Sequence, residues 1–365
     1  MTHSQRRVRL AARLAADGLD ALLVSDLINV RYLCGFTGSN AALVVFAGDT
    51  PAILATDSRY RTQAARQAPD VEAAIERACG RHLVSRAVAA GARRIGFESH
   101  VVTVDGFDGL AKELDGTAAE LVRASGTVEA LREIKDAGEI ALLRLACEAA
   151  DAALADLVND GGLRPGRTER AVGRELEALM LDHGADGPSF ETIVAAGANS
   201  AIPHHRPTDA VLAAGDFVKI DFGALVGGYH SDMTRTFVLG PVGKVEAWQH
   251  EIYALVAAAQ QAGRAALEVG ATLSDVDAAA RLVIADAGYA DHFGHGLGHG
   301  VGLQIHEAPG INSAAAGTLL AGSVVTVEPG VYLPDRGGVR IEDTLVVGGR
   351  IPELLTRFPK ELAIL

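Results

Sequence analysis

Four acidic residues lie inside or beside apolar, strand-like runs of the sequence. They are Asp221 in VKIDFGAL, Asp232 in YHSDMTRTFVL, Glu328 in SVVTVEPGVY and Glu342 in GVRIEDTLVV. Asp is disfavoured in strands, and an unpaired carboxylate is costly to bury. Each acid taken alone is explained as a cap, a strand end or half of a salt bridge. If the strands converge, however, four carboxylates repel one another, and two divalent cations would cancel their charge. The set predicts a paired-metal site.

Histidines supply a further ligand type in HFGHGLGHGVGLQIHE, residues 292–307. His295 and His299 are four apart, as in a helical zinc motif, but glycine at every second position disfavours a helix. We instead predict an extended segment in which a strand pattern resumes at Val301 and Leu303 and one or two histidines face a cleft. The alternative is ordinary hydrogen bonding in a glycine-rich turn. Three more histidines are candidates for the same cleft: His204, His205 and His306.

The donor set indicates which metal and which reaction to expect. Oxygen-rich sites with one imidazole favour Mn²⁺, although Co²⁺ and Zn²⁺ fit the same geometry. Two neighbouring metal ions can activate water and polarise a carbonyl group. The residues therefore predict a hydrolase that uses two divalent ions, with manganese as the first choice.

The elements that must position these residues lie in the second part of the chain. Amphipathic periodicity predicts a connecting helix and a long helix from residue 126 onwards, and then helices over 167–184, Lys244–Leu267 and Leu273–Ala287. Five runs have strand character: FETIVAAG, DFVKIDFG, YHSDMTRTFVLG, SVVTVEPG and GVRIEDTLVV. Helices interleaved with antiparallel-type strands predict an α+β unit.

The first part of the chain has a different pattern. Residues 5–16 have helical spacing, and strands are predicted at Ala21–Val24, Ala42–Phe46 and Arg94–Phe97. The chain of 365 residues is long enough for two cores. We predict a small α/β domain over residues 1–127 and a larger α+β domain over residues 128–365.

The charge balance limits the classes of partner. Asp and Glu outnumber Lys and Arg by 46 to 33, which gives a net charge of −13. Nucleic acid and anionic membrane surfaces would be repelled, and no apolar stretch reaches the roughly 18 residues of a membrane span. Three separated cysteines without a C-x-x-C pair suit a reducing compartment. We expect a cytoplasmic protein that binds neither membranes nor nucleic acid.

HGLGHGVGLQIHE, together with the order and spacing of the acids, resembles the pita-bread metallopeptidases, which include aminopeptidase P, prolidase and methionine aminopeptidase. The resemblance implies five metal ligands: Asp221 on one ion, Asp232 and Glu342 bridging both, and His299 and Glu328 on the other. It also implies that Glu328 accepts a proton from the attacking water. Four further residues are implied at the substrate: His204 and His306 as binding and catalytic residues, His295 as a proton-shuttling or orienting residue, and Arg340 as a basic contact.

The first domain is also similar to the proline-specific branch of this family. NVRYLCGFTGSNAALVV, TDSRYRTQA and LREIKDAGEI resemble its creatinase-type N-terminal domain, which implies a homodimer. The implied activity is cleavage of the Xaa-Pro bond of small peptides with proline at position two. GFTGSN favours an aminopeptidase that acts on longer peptides, and a prolidase that acts on dipeptides is the alternative. Creatinase-like C–N hydrolysis and a non-catalytic binding protein are remote alternatives, because relatives of those kinds typically have replaced metal ligands.

Overall fold

The computed structural model describes residues 1–365, which form two compact units, Met1–Arg132 and Glu133–Leu365. The predicted domain boundary after residue 127 lies five residues before this division. None of the helices combines the length and the apolarity that crossing a bilayer requires.

The first unit is a six-stranded mixed sheet with helices. Its elements are α1 His3–Ala16, β1 Ala21–Val24, α2 Leu27–Cys34, β2 Ala41–Phe46, β3 Ile53–Thr56, α3 Arg61–Gln67, β4 Glu72–Ile75, α4 Cys79–Ala89, β5 Arg94–Phe97, α5 Val104–Ala111, β6 Glu120–Arg123 and α6 Glu129–Arg132. The strand order is β4-β3-β2-β1-β5-β6, with parallel pairing at β3–β4, β1–β5 and β5–β6. The α/β character predicted for this part of the chain is present.

The second unit combines four long helices with short antiparallel sheets. Its elements are α7 Ala137–Asn159, α8 Glu169–Asp182, β7 Gly187–Pro188, β8 Ile193–Ala196, β9 Phe217–Phe222, β10 Ala224–Val226, β11 Tyr229–His230, β12 Met233–Val238, α9 Ala247–Ala265, α10 Leu273–Asp286, β13 Gly298–Gly300, β14 Glu307–Ile311, β15 Val324–Val327, β16 Gly330–Leu333, β17 Gly337–Arg340, β18 Asp343–Val346 and β19 Glu353–Leu354. The mixture of helices and antiparallel sheets is the α+β class predicted from the sequence.

Two hydrophobic cores organise this second unit. Helices α7 and α8 pack on the sheet β12-β9-β8, and helices α9 and α10 pack on the sheet β14-β13-β15-β18-β19. A capping box fixes the start of α7, since the Asp136 side chain accepts from the backbone of Glu139 while the Glu139 side chain accepts from the backbone of Asp136. The helices thus cover one side of each sheet and leave the other side for polar side chains.

Two local predictions are wrong. The run GVRIEDTLVV is two strands, because β17 pairs with β16 whereas β18 pairs with β15, so the chain changes partners at Ile341 and Glu342. Val301 and Leu303 do not resume a strand, because Gly300 pairs with Glu307 and the intervening residues form the connection between β13 and β14. The prediction that this glycine-rich segment is not helical is confirmed.

Candidate metal centre

Asp221 is placed by strand β9. Its neighbours Ile220 and Phe222 point into the core beneath α7 and α8, and side chains alternate along a strand. Asp221 therefore faces the opposite side of the sheet, where it lies across from Thr234 of β12. The apolar alternation of β9 fixes the direction in which this carboxylate points.

The other three acids lie where strands begin or end. Asp232 precedes β12, Glu328 follows β15, and Glu342 precedes β18. All three turn into the same cavity as Asp221, which has a volume of about 700 Å³. The ten side chains predicted from the sequence all line this cavity: His204, His205, Asp221, Asp232, His295, His299, His306, Glu328, Arg340 and Glu342.

His299 lies on the short strand β13 with its Nε2 atom towards the acids. Its Nδ1 atom donates to the carbonyl oxygen of Gly300 at 3.0 Å. Its Nε2 atom is 3.5 Å from an Asp232 oxygen and 3.4 Å from a Glu328 oxygen. Because burial lowers the pKa of His299 to about 4, the imidazole is neutral near pH 7 and Nε2 carries a lone pair. A lone pair aimed between two carboxylates is the arrangement of a metal ligand.

The cavity contains acidic oxygens that no protein group satisfies. The Asp221 Oδ1 and Glu342 Oε1 atoms are buried and have no hydrogen-bond partner. One ligand atom from each of Asp232, His299 and Glu342 lies within 4.8 Å of the others. A buried carboxylate oxygen without a partner is costly, and a cation bound among these oxygens would satisfy it. The donor set therefore fits divalent metal ions.

The titration of the acids leads to the same conclusion. Burial, followed by the charge of Glu342, raises the pKa of Asp232 well above its usual range. Burial, followed by the charge of Glu328, raises the pKa of Glu342, and burial raises the pKa of Glu328 to about 7. Ionising these carboxylates together costs free energy, because they are buried and repel one another. Bound divalent cations would offset that cost and lower the pKa values.

Arg340 provides one positive charge inside the cluster. Its side chain is 3% exposed and donates to Asp221 through Nη2. Its Nε atom donates to the Thr234 hydroxyl at 3.0 Å, and Nη1 donates to the Tyr332 hydroxyl at 2.7 Å. The Thr234 hydroxyl in turn donates to Glu342 Oε2 at 2.7 Å. Arg340 and Thr234 thus hold two of the acids in fixed positions.

His295 lies on the far side of Tyr332. Its Nδ1 atom donates to the carbonyl oxygen of Gly296 at 2.8 Å, which leaves Nε2 as an acceptor for the Tyr332 hydroxyl, also at 2.8 Å. Burial lowers the pKa of His295 to about 4. A hydrogen-bonded chain therefore runs from Arg340 through Tyr332 to a neutral His295.

His204 and His306 are the exposed histidines of the cavity. The His306 ring packs edge-on against the His299 ring, with 4.4 Å between centroids. Burial lowers the pKa of His306. Both residues reach the open part of the cavity, where a substrate would enter.

Two buried charged residues, Lys219 and Glu169, form hydrogen bonds with the segment that carries His204, and neither was among the residues predicted from the sequence. Lys219 is fully buried and donates to the carbonyl oxygens of Ile202 at 2.7 Å and Pro203 at 3.3 Å. Glu169, also fully buried, accepts from His205 at 2.8 Å. It also accepts from Asn199 and from Thr208. Lys219 and Glu169 therefore hold the residues on either side of His204 in the chain.

Of Lys219 and Glu169, only Lys219 has a position that the sequence pattern predicts. Lys219 shares the strand phase of Asp221, so the alternation of VKIDFG places both on the polar face. Glu169 is the first residue of an amphipathic helix, where an acid is expected for its effect on the helix dipole alone. Its partners lie 27 to 39 residues away in sequence.

Comparison with known proteins identifies the family. Residues 141–348 match the model of metallopeptidase family M24. The chain belongs to this family. Residues 6–134 match the creatinase/prolidase N-terminal domain. The family and the fold predicted from the sequence are confirmed, and an M24 metallopeptidase is a metal-dependent hydrolase.

Three proteins illustrate the similarity within family M24. An Xaa-Pro dipeptidase from Pyrococcus horikoshii is 34% identical over 348 residues, which cover 95% of each chain. The structure of an Xaa-Pro dipeptidase from Bacillus anthracis matches with a TM-score of 0.93 at 37% identity over the whole of both chains. An X-Pro aminopeptidase from Thermotoga maritima matches with a TM-score of 0.86 at 32% identity, covering 95% of this chain and 98% of its own.

Proposed function

We propose that this protein is a dinuclear metal-dependent Xaa-Pro dipeptidase. The observation that carries the proposal is the cavity in which four carboxylates and one neutral imidazole converge with two unsatisfied acidic oxygens. The sequence favoured an aminopeptidase that acts on longer peptides and kept the dipeptidase as the alternative. The relatives named above favour the alternative, because the closer structural match among the two solved structures is a dipeptidase.

A feature of the cavity also supports a dipeptide substrate. An Xaa-Pro dipeptide carries a free carboxylate on its proline, which a binding site must neutralise. Of the two arginines that line the cavity, Arg340 is held by Asp221, whereas Arg206 is 83% exposed. Arg206 pairs only with Glu191, also exposed, at 3.1 Å. It is thus able to turn to a substrate carboxylate.

The proposed metal ligands are Asp221, Asp232, His299, Glu328 and Glu342. Two divalent ions held there would supply an activated water molecule and a positive field for the carbonyl oxygen of the scissile bond. Manganese remains the first choice, and Co²⁺ or Zn²⁺ are the alternatives.

Glu328 is the proposed proton acceptor. It lies in the cavity with its Oε1 atom 3.4 Å from His299 Nε2, and a carboxylate within reach of the attacking water can accept a proton from it. The Thr326 hydroxyl donates to its Oε1 atom at 3.3 Å, and its Oε2 atom lies 4.0 Å from Arg340 Nε. We assign Glu328 the role of taking a proton from water and later returning it to the proline nitrogen.

The histidines divide into two proposed roles. His204 and His306 face the open cavity, and their ring N–H groups can donate hydrogen bonds to the substrate as charge develops on it. His295 has both ring nitrogens engaged, by Gly296 and Tyr332. We assign His295 a positioning role, in which it holds Tyr332 against Arg340, rather than a role in proton transfer.

The test compares alanyl-proline with alanyl-prolyl-alanine in Mn²⁺, with a chelator control and with alanyl-alanine as the proline-free peptide. We expect rapid cleavage of alanyl-proline that chelation abolishes. Preferred cleavage of the tripeptide would restore the aminopeptidase. No cleavage of either peptide by metal-loaded protein would refute Xaa-Pro specificity.

The Arg206→Gln variant tests the carboxylate contact. We expect the KM for alanyl-proline to rise about tenfold, because one charge-assisted hydrogen bond is lost, with little change in kcat. Hydrolysis of alanyl-proline amide, which lacks the charge, should be unaffected. Arg174→Gln, on the exposed surface of α8, is the matched control. An equal loss on both substrates would contradict the assignment.

The homodimer and the cytoplasmic location remain predictions from the sequence. Light scattering of the purified full chain checks the first, and a monomeric mass would reject it. Fractionation of the producing cells checks the second.

A further inference from the structure

A second cavity of about 870 Å³ lies in the catalytic unit, away from the metal centre. Helix α9 forms one wall, and residues 350–352 and 360–362 form another. None of its lining residues belongs to the cavity that contains the metal ligands. The two cavities are therefore formed by different residues.

Two basic residues of the cavity wall, Arg264 and Lys360, belong to a cluster in which basic groups outnumber acids. Asp343 is fully buried, and its carboxylate is shared by three basic groups: Lys360 at 2.8 Å, Arg235 at 2.9 Å and Arg264 at 3.6 Å. Gln260 and Thr356 also donate to it, at 2.8 Å and 3.1 Å. One carboxylate therefore balances only one of three positive charges.

Two of the basic groups on the cavity wall have unused donors. The Arg264 side chain is 30% exposed on the wall, and its contact with Asp343, Nη1 to Oδ2 at 3.6 Å, is too long for a hydrogen bond. Arg350 is exposed at the rim, where it makes no ion pair. Among the residues that line the cavity, three are basic, Arg264, Arg350 and Lys360, and one is acidic, Glu361. Guanidinium groups that are accessible on a cavity wall can donate to an anion bound there.

Apolar side chains also line the cavity. Ile341, Ile351 and Leu362 line the cavity beside the basic groups. Arginine is well suited to bind oxyanions because its planar donors match the geometry of carboxylate and phosphate groups. Apolar walls with a few convergent polar groups are typical of small-molecule sites.

We propose that this cavity binds a small organic anion. Its oxyanion head, a phosphate or a carboxylate, is held by Arg264, Arg350 and Lys360, and its apolar body packs on Ile341, Ile351 and Leu362. The inference concerns a site outside the peptidase centre, and it stands whether or not the substrate of that centre is a dipeptide.

Calorimetry on the metal-loaded full chain tests the proposal with three probes: phenyl phosphate, benzoate and inorganic phosphate. We expect phenyl phosphate or benzoate to bind this cavity with a Kd below about 1 mM. The tighter of the two identifies the preferred head. Inorganic phosphate, which lacks the apolar body, should bind about tenfold more weakly. Failure of both organic probes to bind would overturn the proposal.

The double variant Arg264→Gln with Arg350→Gln separates this site from the metal centre, whose divalent ions would also attract anions. It leaves Arg235 and Lys360 paired with Asp343, and it should weaken binding of the organic probe about tenfold or more. Arg174→Gln should leave binding unchanged. Equal binding by the double variant and the wild type would place the anion elsewhere and refute the site.

A second variant keeps the test independent of the buried cluster. Ile351 is 82% exposed at the rim, so Ile351→Asp adds a negative charge without disturbing the fold. We expect it to weaken binding of the organic probes several-fold. Binding that does not change in this variant, in a protein with an unchanged melting temperature, would argue against the cavity.

Discussion

Glu342 and Asp343 are consecutive residues, but they belong to clusters of opposite charge. Glu342 accepts from Thr234 and lies among the acids of the metal centre. Asp343 accepts from Arg235, the next residue along β12, and lies among basic groups. Since successive side chains of a strand point to opposite sides, one peptide bond separates a cluster that has excess negative charge from one that has excess positive charge.

The two clusters differ in how much of their charge the protein itself balances. Burial raises the pKa of Glu342, and the neighbouring acids raise it further. Burial also acts to raise the pKa of Asp343, but Arg235 and Lys360 outweigh it and hold that pKa below its ordinary value. Asp343 is therefore a structural carboxylate that the fold satisfies. Glu342 is a carboxylate that requires something from outside the chain.

The largest expected effect is on catalysis. Glu328→Gln keeps the shape of the side chain but removes the proposed proton acceptor, so kcat for alanyl-proline should fall about a thousandfold. Melting curves should show that the fold persists. Glu268→Gln, at an exposed position, is the control and should retain normal turnover. Turnover of Glu328→Gln near that of the wild type would remove Glu328 from the mechanism.

The next effect is on stability. Asp343→Asn leaves Arg235, which is 1% exposed, without its ionic partner. An uncompensated buried charge should lower the free energy of unfolding by about 3–5 kcal/mol. Denaturant unfolding of the metal-free variant measures this change. A loss within the range of ordinary surface substitutions would mean that Asp343 does not balance the basic cluster.

The smallest expected effect is an increase in the free energy of unfolding. Glu342→Gln removes a charge from a repulsive cluster, so the metal-free variant should be more stable than the metal-free wild type at about pH 8, by about 1 kcal/mol or more. A raised folded-state pKa means that stability is lost as pH rises through it. The gain should therefore vanish near pH 4, where Glu342 is protonated in both states. A loss of stability at about pH 8 would contradict the comparison.

The acidic cluster of the metal centre could be predicted from the sequence, whereas the basic cluster around Asp343 could not. Asp221, Asp232, Glu328 and Glu342 stand out because each is an acid next to apolar strand residues, a local signal. Asp343 stands beside Glu342 in the same run, yet its partner Arg235 is 108 residues away. Long-range pairing of that kind leaves no local pattern.

The strand assignments show the same limit. The alternation in VKIDFG predicted β9 and the direction of Asp221. Within GVRIEDTLVV no residue indicates where a strand ends. The break at Ile341 and Glu342 arises because β17 and β18 pair with different strands. That change of partner is what turns Glu342 into the cavity. It depends on tertiary structure and not on local preference.

The most direct test of the central claim is the metal content of the purified chain. The protein is saturated with Mn²⁺, dialysed and measured by mass spectrometry of the metal, beside a Glu342→Gln variant treated in the same way. We expect about two ions per chain in the wild type and fewer in the variant, with alanyl-proline hydrolysis following the metal content. A folded wild-type chain that retains no metal, or that hydrolyses alanyl-proline equally well after chelation, would contradict it.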